Sequence, residues 1–293
     1  MPLSTDRACP LCGHHGHSPL PAFDTHHLVR CKACGGVHTS WLPSHEELTD
    51  FYAAYPAITS VSPITITRYH ELLDAFEPFR TNGRLIDVGC GGGLFLEQAA
   101  KRGWEVHGTE FGQLAVETCR SRGIDIIEGP LDPANYDPGS FDVVCSFEVI
   151  EHVTDPRTEL RNLATLLRPG GVLYMTTPNF NCLARRLGPS SWNVACYPEH
   201  LTYFTPASLH RMMVGEGLRK KRLVTTGFSL ARWLAGRQQD PGKKAAAKQS
   251  QEELRTALET RPLLRVAKRV ANGFLNTSRL GDSLKATYVK SAS

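Results

Sequence analysis

The stretch LIDVGCGGGLF, residues 85–95, joins a short apolar run to a cluster of glycines, after which an apolar helical pattern resumes. A buried strand that ends in a glycine turn and leads into a helix is typical of an open parallel sheet, in which ligands bind beyond the carboxyl ends of the strands. Small residues at Gly89, Gly91 and Gly93 allow the backbone to approach a ligand closely. The stretch therefore predicts a fold class and the place of a binding site.

Apolar strands and amphipathic helices alternate along the chain from residue 84 onward. Strands are predicted at 84–89, 105–110, 124–129, 141–147, 171–178 and 218–227, and the intervening helices at 93–103, 113–123, 154–167 and 205–217. Helices that separate continuous apolar strands indicate a doubly wound α/β fold, with a parallel sheet covered on both faces. The last residues, SLKATYVKSA, alternate in the manner of an edge strand.

The spacing around the glycines distinguishes between nucleotide cofactors. A dinucleotide fingerprint requires a glycine where this chain has Leu94, and the lysine of a phosphate-binding P-loop is absent. Asp87 stands two residues before the first glycine, where its charge would repel a pyrophosphate but suits a cationic ligand. Glu110, 21 residues after Gly89, is placed at the end of the second strand to accept hydrogen bonds from both hydroxyls of an adenosyl ribose. An ordinary strand-to-helix turn without a ligand is the alternative interpretation of the glycines.

Four motifs in order, LIDVGCGGGLF, VHGTE, GSFDVVCSFEVIEHV and LRPGGVLYMTTPN, resemble those of class I S-adenosylmethionine (SAM)-dependent methyltransferases. The resemblance covers residues 80–228 and implies a Rossmann-like sheet of seven strands, one of them antiparallel. It also implies that the chain is an enzyme with SAM as its cofactor. Residues 281–293 would supply the seventh strand, with residues 229–280 as a basic helical insertion before it.

The same resemblance implies which residues bind SAM. Asp87 and Gly89 match positions that meet the methionine moiety, and Glu110 matches the residue that binds the ribose. Leu131 falls where the family flanks the adenine, and Asp132 is the acid available there. The full set of implied cofactor residues is Asp87, Gly89, Cys90, Gly91, Gly93, Glu110, Phe111, Leu131, Phe147 and Glu148.

Two C-x-x-C pairs, CPLC and CKAC, are separated by 18 residues near the N-terminus. Four thiolates at this spacing predict a closed, tetrahedral and therefore structural zinc site. The predicted ligands are Cys9, Cys12, Cys31 and Cys34. Nearby His14, His15 and His17 are alternative ligands, but the paired spacing favours the all-cysteine set. The chain has nine cysteines, an odd number that indicates thiols in a reducing compartment rather than a disulfide framework.

A cysteine-rich head before a domain of this kind is similar to that of bacterial sugar C-methyltransferases, which implies a head on the substrate side. Basic residues in the head are few, so sequence-specific binding of nucleic acid by the predicted ribbon is not expected.

Two stretches offer groups for proton transfer at the acceptor. Glu151 and His152 follow the fourth strand and resemble positions associated with a divalent metal in quinone O-methyltransferases; the alternative is that they hold a helix cap. The loop SSWNVACYPEHLTYFT, residues 190–205, gathers aromatic side chains that can exclude water and stack on a flat or sugar-like acceptor, namely Trp192, Tyr197, His200, Tyr203 and Phe204. An imidazole suits proton transfer near neutrality, so the candidate catalytic residues are His200, Tyr197, Glu151 and His152. The alternative is that this loop only covers the core.

Charge is distributed unevenly along the chain. Residues 211–293 hold 18 Lys and Arg against 6 Asp and Glu, whereas the whole chain has a net charge of +4. The basic helix in this region is typical either of a lid or of peripheral contact with a membrane. Neither a signal peptide nor a spanning helix is indicated, so a cytoplasmic protein is expected. The predicted division is a zinc ribbon (1–40), a helical connector (41–80), a SAM-binding core (81–228), a basic helical insertion (229–280) and the final strand of the core (281–293).

The sequence therefore predicts a methyltransferase that acts on oxygen or carbon of a small-molecule acceptor, such as a sugar nucleotide or another secondary metabolite. Three alternatives are O-methylation of a membrane-associated quinone or phenol, a non-catalytic SAM-binding adaptor, and RNA methylation.

Overall fold

The computed structural model describes residues 7–44, 46–48, 51, 60–189, 192–228 and 262–291. The chain divides into two compact units, each assembled from three separate stretches. The sheet unit comprises Pro43–Thr177, His210–Leu223 and Ala286–Ser293, and the ribbon unit comprises Met1–Leu42, Pro178–Leu209 and Val224–Lys285. The five-segment division along the sequence stays a prediction.

The elements of the described residues are numbered here in chain order. The strands are β1 (His17–Pro19), β2 (Leu28–Cys31), β3 (Val37–Thr39), β4 (Arg84–Val88), β5 (Glu105–Glu110), β6 (Asp125–Glu128), β7 (Phe141–Phe147), β8 (Leu167–Pro178), β9 (Thr202–Tyr203), β10 (Leu218–Thr226) and β11 (Ser283–Lys290). The α-helices are α1 (Pro63–Phe76), α2 (Leu94–Lys101), α3 (Gln113–Ser121), α4 (Pro156–Leu166), α5 (Leu183–Leu187), α6 (Pro206–Gly215) and α7 (Pro262–Thr277).

Seven strands form one large sheet, in the order β10-β11-β8-β7-β4-β5-β6. The pairs β4 with β5, β4 with β7, β5 with β6 and β7 with β8 are all parallel. Helices α2, α3 and α4 each connect successive parallel strands, as continuous apolar strands require. The predicted fold class, a Rossmann-like α/β fold with a seven-stranded sheet, is confirmed.

The core of the sheet unit follows from the apolar runs that predicted its strands. Leu85 and Ile86 of β4 are fully buried, as are Val143 and Val144 of β7 beside them. Asp142 is a buried acid at the start of β7, and its Oδ2 accepts hydrogen bonds of 2.7–2.9 Å from the backbone N–H groups of residues 81–83. These bonds fix the chain as it enters β4, which the sequence did not predict.

Two strands differ from the prediction. Strand β8 begins at Leu167 rather than at residue 171, because Leu167 pairs with Phe141 ahead of a register shift in β7. Strand β11 was expected to be an edge strand, and this expectation is wrong: β10 occupies the edge, and β11 lies between β10 and β8. Leu284, Ala286 and Tyr288 of β11 are fully buried, as an internal strand requires.

The ribbon unit contains a second, antiparallel sheet in the order β1-β2-β3-β9. Its last strand comes from far along the chain, with Val37 of β3 opposite Tyr203 of β9. An aromatic core packs beside it, in which the ring of Phe180 lies 5.6 Å from that of Trp192 and 5.8 Å from that of Tyr203. The unit is therefore stabilised by contacts between residues that are far apart in the sequence.

Local capping interactions define the starts of two helical segments. Ser44 and Glu47 form a reciprocal capping box, with N···O distances of 2.7 and 3.1 Å. Pro206 opens α6, and the Thr205 hydroxyl accepts a hydrogen bond from the backbone N–H of Ser208. The helix predicted in the basic region is observed as α7, while residues 229–261 lie outside the described residues. Within the described part of the chain, no helix has the length and apolar character needed to cross a bilayer.

Candidate functional site

The glycine turn follows β4 and is anchored to β5 through Thr109, whose carbonyl accepts the N–H groups of Gly89 and Cys90 at 2.9 and 3.0 Å. Gly89, Gly91 and Gly93 have φ angles of 71°, 53° and 73°, a region that favours glycine. A Cβ atom at Gly89 would lie 2.5 Å from the Val149 side chain, whereas one at Gly91 would meet no atom within 4 Å. The turn is therefore closely packed at its start and open at its middle.

Glu110 ends β5 and its carboxylate lies against this turn. Oε2 accepts the backbone N–H of Gly91 at 2.8 Å, and Oε1 accepts those of Phe111 and Gly112 at 2.8 and 2.9 Å. The acid that the sequence placed at the ribose is thus joined to the open part of the glycine turn. Three hydrogen bonds fix its position before any ligand binds.

Asp87, near the end of β4, is 2% exposed, and its Oδ1 is buried with no hydrogen-bond partner among the described residues. Burial and the neighbouring charge of Glu110 raise the pKa of this carboxyl well above its usual range. A buried, unsatisfied acid beside a second acid favours a ligand that carries positive charge. The methionine ammonium and sulfonium of SAM have this property.

Cys90 and Cys119 line the inner side of the turn. Their sulfur atoms are 3.9 Å apart, and the Cys119 thiol donates to the carbonyl of Gly91 at 3.1 Å. The remaining predicted cofactor positions differ in exposure: Phe111 is exposed, whereas Leu131 is buried. Asp132, the predicted acid near the adenine, caps a short 3₁₀ turn by accepting the N–H of Ala134 at 2.9 Å.

Phe147 ends β7, and Glu148 follows it in an unusual backbone conformation. The Phe147 ring is half-buried and packs edge-on against Phe95 at 5.2 Å, with Tyr174 at 5.6 Å on another side. Glu148 has a φ of 54°, a left-handed conformation that costs energy in a residue with a side chain, and its N–H donates to Thr176 at 2.9 Å. Such strain is common beside binding sites, and here it directs the chain away from β7.

Glu151 and His152 lie together in the sheet unit. Glu151 is 2% exposed, and its Oε2 accepts the hydroxyl of Thr177 at 2.9 Å, while Oε1 lies 3.8 Å from Nε2 of His152. The helix cap is a different residue: Asp155 accepts the N–H groups of Arg157 and Thr158, both at 3.1 Å. Glu151 therefore joins the end of β8 instead of capping α4.

Four cysteine thiols converge in the ribbon unit, all within 4.8 Å of one another. The sulfur atoms of Cys9 and Cys34 are 3.6 Å apart, as are those of Cys12 and Cys31. A tetrahedral zinc site with Zn–S bonds of about 2.3 Å has S···S edges of about 3.8 Å, so the observed spacing fits that ion.

Gly13 and Gly35 each follow the second cysteine of a pair, and their φ angles of 77° and 71° lie in the region that favours glycine. Although burial opposes it, hydrogen bonds from the backbone N–H groups of Cys34 and Ala33 lower the pKa of the Cys31 thiol to about 7. Burial raises the pKa of the Cys9 and Cys34 thiols, so among these three thiols the thiolate is favoured only at Cys31 before a metal binds. His14 and His15 are exposed and stand outside the cluster.

Tyr197 and His200 both belong to the ribbon unit. Tyr197 packs edge-on against the His27 ring at 5.2 Å. The Nδ1 atom of His200 lies 2.7 Å from the carbonyl oxygen of Val194, which makes Nδ1 the protonated nitrogen and places the lone pair of the neutral ring on Nε2. Burial lowers the pKa of His200, so the imidazole is neutral at neutral pH.

The other aromatic residues of this loop do not match the expected role. Trp192, Tyr203 and Phe204 are between 0 and 7% exposed, and Trp192 and Tyr203 belong to the aromatic core of the ribbon unit. The expectation that they stack on an acceptor is therefore wrong for these three. For Tyr197 and His200, which are half-buried, it stays a prediction.

The model of a methyltransferase domain family matches residues 65–223, more than half of the chain. This chain belongs to the methyltransferase domain family. The prediction of a methyltransferase domain is confirmed by this match, and the seven-stranded sheet agrees with it. The match begins within α1 and ends within β10, so it omits the four-cysteine cluster.

Curated relatives include two proteins named ubiquinone biosynthesis O-methyltransferase. The protein from Aeromonas salmonicida is 34% identical over 148 residues, which are 46% of this chain and 62% of that protein. The protein from Idiomarina loihiensis is 33% identical over 142 residues, which are 44% of this chain and 58% of that protein. The chain thus spans less than two thirds of the length of these relatives.

Solved structures agree on the fold. A SAM-dependent methyltransferase from Archaeoglobus fulgidus superposes with a TM-score of 0.52 at 14% identity, over 84% of this chain and all of that chain. Phosphoethanolamine N-methyltransferase 2 from Haemonchus contortus, solved with SAM, gives a TM-score of 0.50 at 19% identity, over 77% of this chain and 53% of that chain. At these identities the likeness shows the fold alone.

Proposed function

We propose that this protein transfers a methyl group from SAM to an oxygen or carbon atom of a small-molecule acceptor, such as a sugar nucleotide or another secondary metabolite. The observation that supports it best is the buried Asp87, whose unsatisfied oxygen and raised pKa suit a cationic ligand. Glu110 beside the open centre of the glycine turn is a second group for the adenosyl ribose. Together they match the charge and the hydroxyls of SAM.

Methyl transfer from a sulfonium is a displacement in which the S–CH₃ bond breaks as the new bond to the acceptor forms. The leaving S-adenosylhomocysteine is neutral and needs no acid. A hydroxyl or carbon acceptor must lose a proton, and we assign this proton to Nε2 of His200, the basic nitrogen of its neutral ring. Tyr197, Glu151 and His152 are the further candidates for positioning the acceptor.

A structural zinc ion in the ribbon unit is part of this proposal. Four thiols with the spacing of a tetrahedral site leave no position for water, so the ion would stabilise the fold without joining the reaction.

A second candidate is O-methylation of a membrane-associated quinone or phenol. Two relatives are named for ubiquinone biosynthesis, and α7 presents an apolar stripe on its outer side. The stripe consists of Val266, Val270 and Phe274, exposed by 58, 69 and 66%. Arg269 beside it is also exposed, a combination that suits an anionic bilayer surface.

A screen with methyl-labelled SAM over nucleotide sugars, phenols, quinones and RNA tests the proposal, with the Asp87→Asn variant as the blank. Transfer to a nucleotide sugar or another soluble metabolite is expected. Transfer only to a quinone in vesicles would favour the second candidate, and transfer only to RNA would replace both. Tight SAM binding without transfer to any acceptor would contradict the enzyme proposal and favour an adaptor.

A further inference from the structure

Two arginine side chains of the ribbon unit face one buried phenyl ring. The guanidinium carbon of Arg185, on α5, lies 4.2 Å from the centroid of Phe180, and that of Arg30, on β2, lies 5.8 Å from it. Because the two distances add to 10.0 Å, the guanidinium carbons are no further apart than that. The ring is 2% exposed, so it is a fixed platform for both cations.

Neither arginine has a carboxylate partner among the described residues. Each donates one hydrogen bond within that part of the chain: Arg30 to the carbonyl of Gly35 at 3.0 Å, and Arg185 through Nε to the carbonyl of Phe180. A guanidinium has five N–H donors, so most of the donors of both side chains are available to a ligand.

Several arginines of the sheet unit do have carboxylate partners. Arg84 lies 3.0 Å from the carboxylate of Glu105, Arg102 lies 2.7 Å from that of Asp74, and Arg168 pairs with Asp142. The chain therefore pairs guanidinium groups with carboxylates elsewhere.

The electrostatic environment of Arg185 is unfavourable without a counter-ion. Burial, followed by the neighbouring charges of Arg30 and Arg186, lowers the pKa of its guanidinium. Arg186, the next residue on α5, is exposed and donates to Oδ1 of Asn181 at 2.6 Å. Three cations that repel one another, two of them on one ring, would be stabilised by an anion between them.

We infer that Arg30 and Arg185, held on Phe180, bind a phosphate or diphosphate group of the acceptor. This inference rests on the proposed function, since it names the chemical class of the acceptor. Two planar guanidinium forks match the oxygen atoms of a phosphate in pairs, whereas a single carboxylate engages only one fork fully. Arg30 and Arg185 are specificity-determining residues in this role, and they touch the acceptor at a group that does not react.

Isothermal titration of the full-length, zinc-loaded protein with inorganic pyrophosphate tests the site, with zinc content measured afterwards because pyrophosphate binds metals. Saturable binding is expected. Arg185→Gln and Arg30→Gln should each raise the dissociation constant by about tenfold or more, because hydrogen bonds to charged groups contribute that much. Arg219→Gln, which removes an exposed arginine of β10, is the matched control and should bind pyrophosphate as the wild type does.

Arg185→Lys keeps the charge but removes the planar fork, so it should bind with an intermediate constant. If thermal unfolding shows that Arg185→Gln does not fold, Arg185→Lys serves as the test of this position instead. UDP and vesicles that contain phosphatidic acid then distinguish a nucleotide-linked from a lipid-linked phosphate, since each carries the shared group with a different attachment.

Absence of pyrophosphate binding in the wild type would overturn the inference, as would equal constants in wild type, Arg30→Gln and Arg185→Lys. A screen in which only acceptors without phosphate are methylated would do the same while leaving the proposed function intact. Conversely, a protein that binds pyrophosphate through both arginines but never binds SAM would refute the proposed function and leave the anion site standing.

Discussion

The two units of this protein differ in how their functional groups are encoded. In the sheet unit, Asp87, the glycines and Glu110 lie within 24 residues of one another, and the backbone itself forms much of the site. In the ribbon unit, Arg30 and Arg185 are 155 positions apart and meet only through packing on Phe180. A local site leaves a readable pattern in the sequence, whereas a site assembled by tertiary contacts does not.

The two units also differ in charge at these places. The glycine turn is bordered by two acids, one of them buried with a raised pKa, which suits a cationic methyl donor. The Phe180 platform holds two cations without carboxylate partners among the described residues, which suits an anionic acceptor. The following predictions address this contrast, from the largest expected effect to the smallest.

Removal of one zinc ligand should affect the ribbon unit far more than the sheet unit. Cys31→Ser should abolish stoichiometric zinc, because it removes one of the four thiolate ligands. The ribbon unit then loses the free energy of zinc binding, which is about 10–16 kcal/mol in zinc-finger peptides. Hydrogen exchange should then show loss of amide protection in β2 and β3, with protection retained in β4 and β7. Metal analysis and exchange on the same sample make the measurement.

Cys196→Ser is the matched control, since Cys196 lies in the same unit outside the four-cysteine cluster. It should keep one zinc per chain. A wild-type protein that contains no zinc, and whose β3 amides are nevertheless fully protected from exchange, would contradict the zinc site.

Replacement of His200 should separate turnover from donor binding. His200→Ala should lower kcat by about 100-fold or more, the usual contribution of a general base, while the Kd of SAM stays near the wild-type value. Because burial lowers the pKa of His200, the wild-type rate should be constant above neutral pH and fall only below the ordinary imidazole range near 6.5.

That acid limb should disappear in the variant, where the titrating base is gone. A pH–rate profile of both proteins provides the readout. If the variant kept the wild-type kcat and the same acid limb, His200 would have no part in proton transfer.

The sequence predicted those parts of the fold in which buried apolar residues follow a regular pattern over a short stretch of chain. Strand β7 was expected at 141–147 and is observed over Phe141–Phe147, because a run of mostly apolar residues, interrupted only by Asp142 and Ser146, is buried in the core. Strand β11 was misplaced at the edge, because alternation along a single strand shows that one face is buried but not which strands flank it. The pairing of β3 with β9 was not predicted, since nothing local in the short strand Thr202–Tyr203 identifies its partner.

The candidate site divides in the same way. The glycine spacing and the position of Glu110 identified the donor side, since both are properties of one strand–turn–helix unit. The aromatic loop residues Trp192 and Tyr203 were misassigned, because composition does not reveal whether a ring faces a ligand or the core. For Arg30 and Arg185, the only signal was that few Asp and Glu residues lie near them in the sequence. This signal cannot predict that two positions so far apart in the chain lie on the same ring.

Glu110 offers a test of the donor side of the site. Glu110→Gln keeps the size of the side chain but removes the charge that accepts three backbone N–H bonds. The Kd of SAM should rise by about 10- to 100-fold, since hydrogen bonds to charged groups contribute about 1.5–3 kcal/mol. Glu117→Gln on α3 is the control, and an equal Kd in both variants would contradict a role for Glu110 in binding.

Asp87 should make SAM binding depend on pH. Its raised pKa means that the unligated protein holds a proton more tightly than the unfolded chain does, so its stability contribution is lost as pH rises above the unfolded value near 3.9. A cationic ligand prefers the ionised carboxylate, so affinity should fall as pH falls, by at most about tenfold per pH unit. Titrations at several pH values measure this, and Asp87→Asn should give a flatter profile; a wild-type affinity that rises on acidification would exclude Asp87 as the counter-charge.

The smallest effect on the fold is expected at the outer stripe of α7. Phe274→Ser and Val270→Ser should change the free energy of unfolding by no more than about 0.5 kcal/mol, because both side chains already face solvent. If the ribbon unit contacts a bilayer, the same changes should reduce cosedimentation with anionic vesicles, since each removes apolar area that would enter the interface. Leu114→Ser, at a residue of the sheet unit that is 59% exposed, is the matched control. Equal loss of vesicle binding in all three variants would show nonspecific hydrophobic adsorption. It would contradict a bilayer contact that is specific to the ribbon unit.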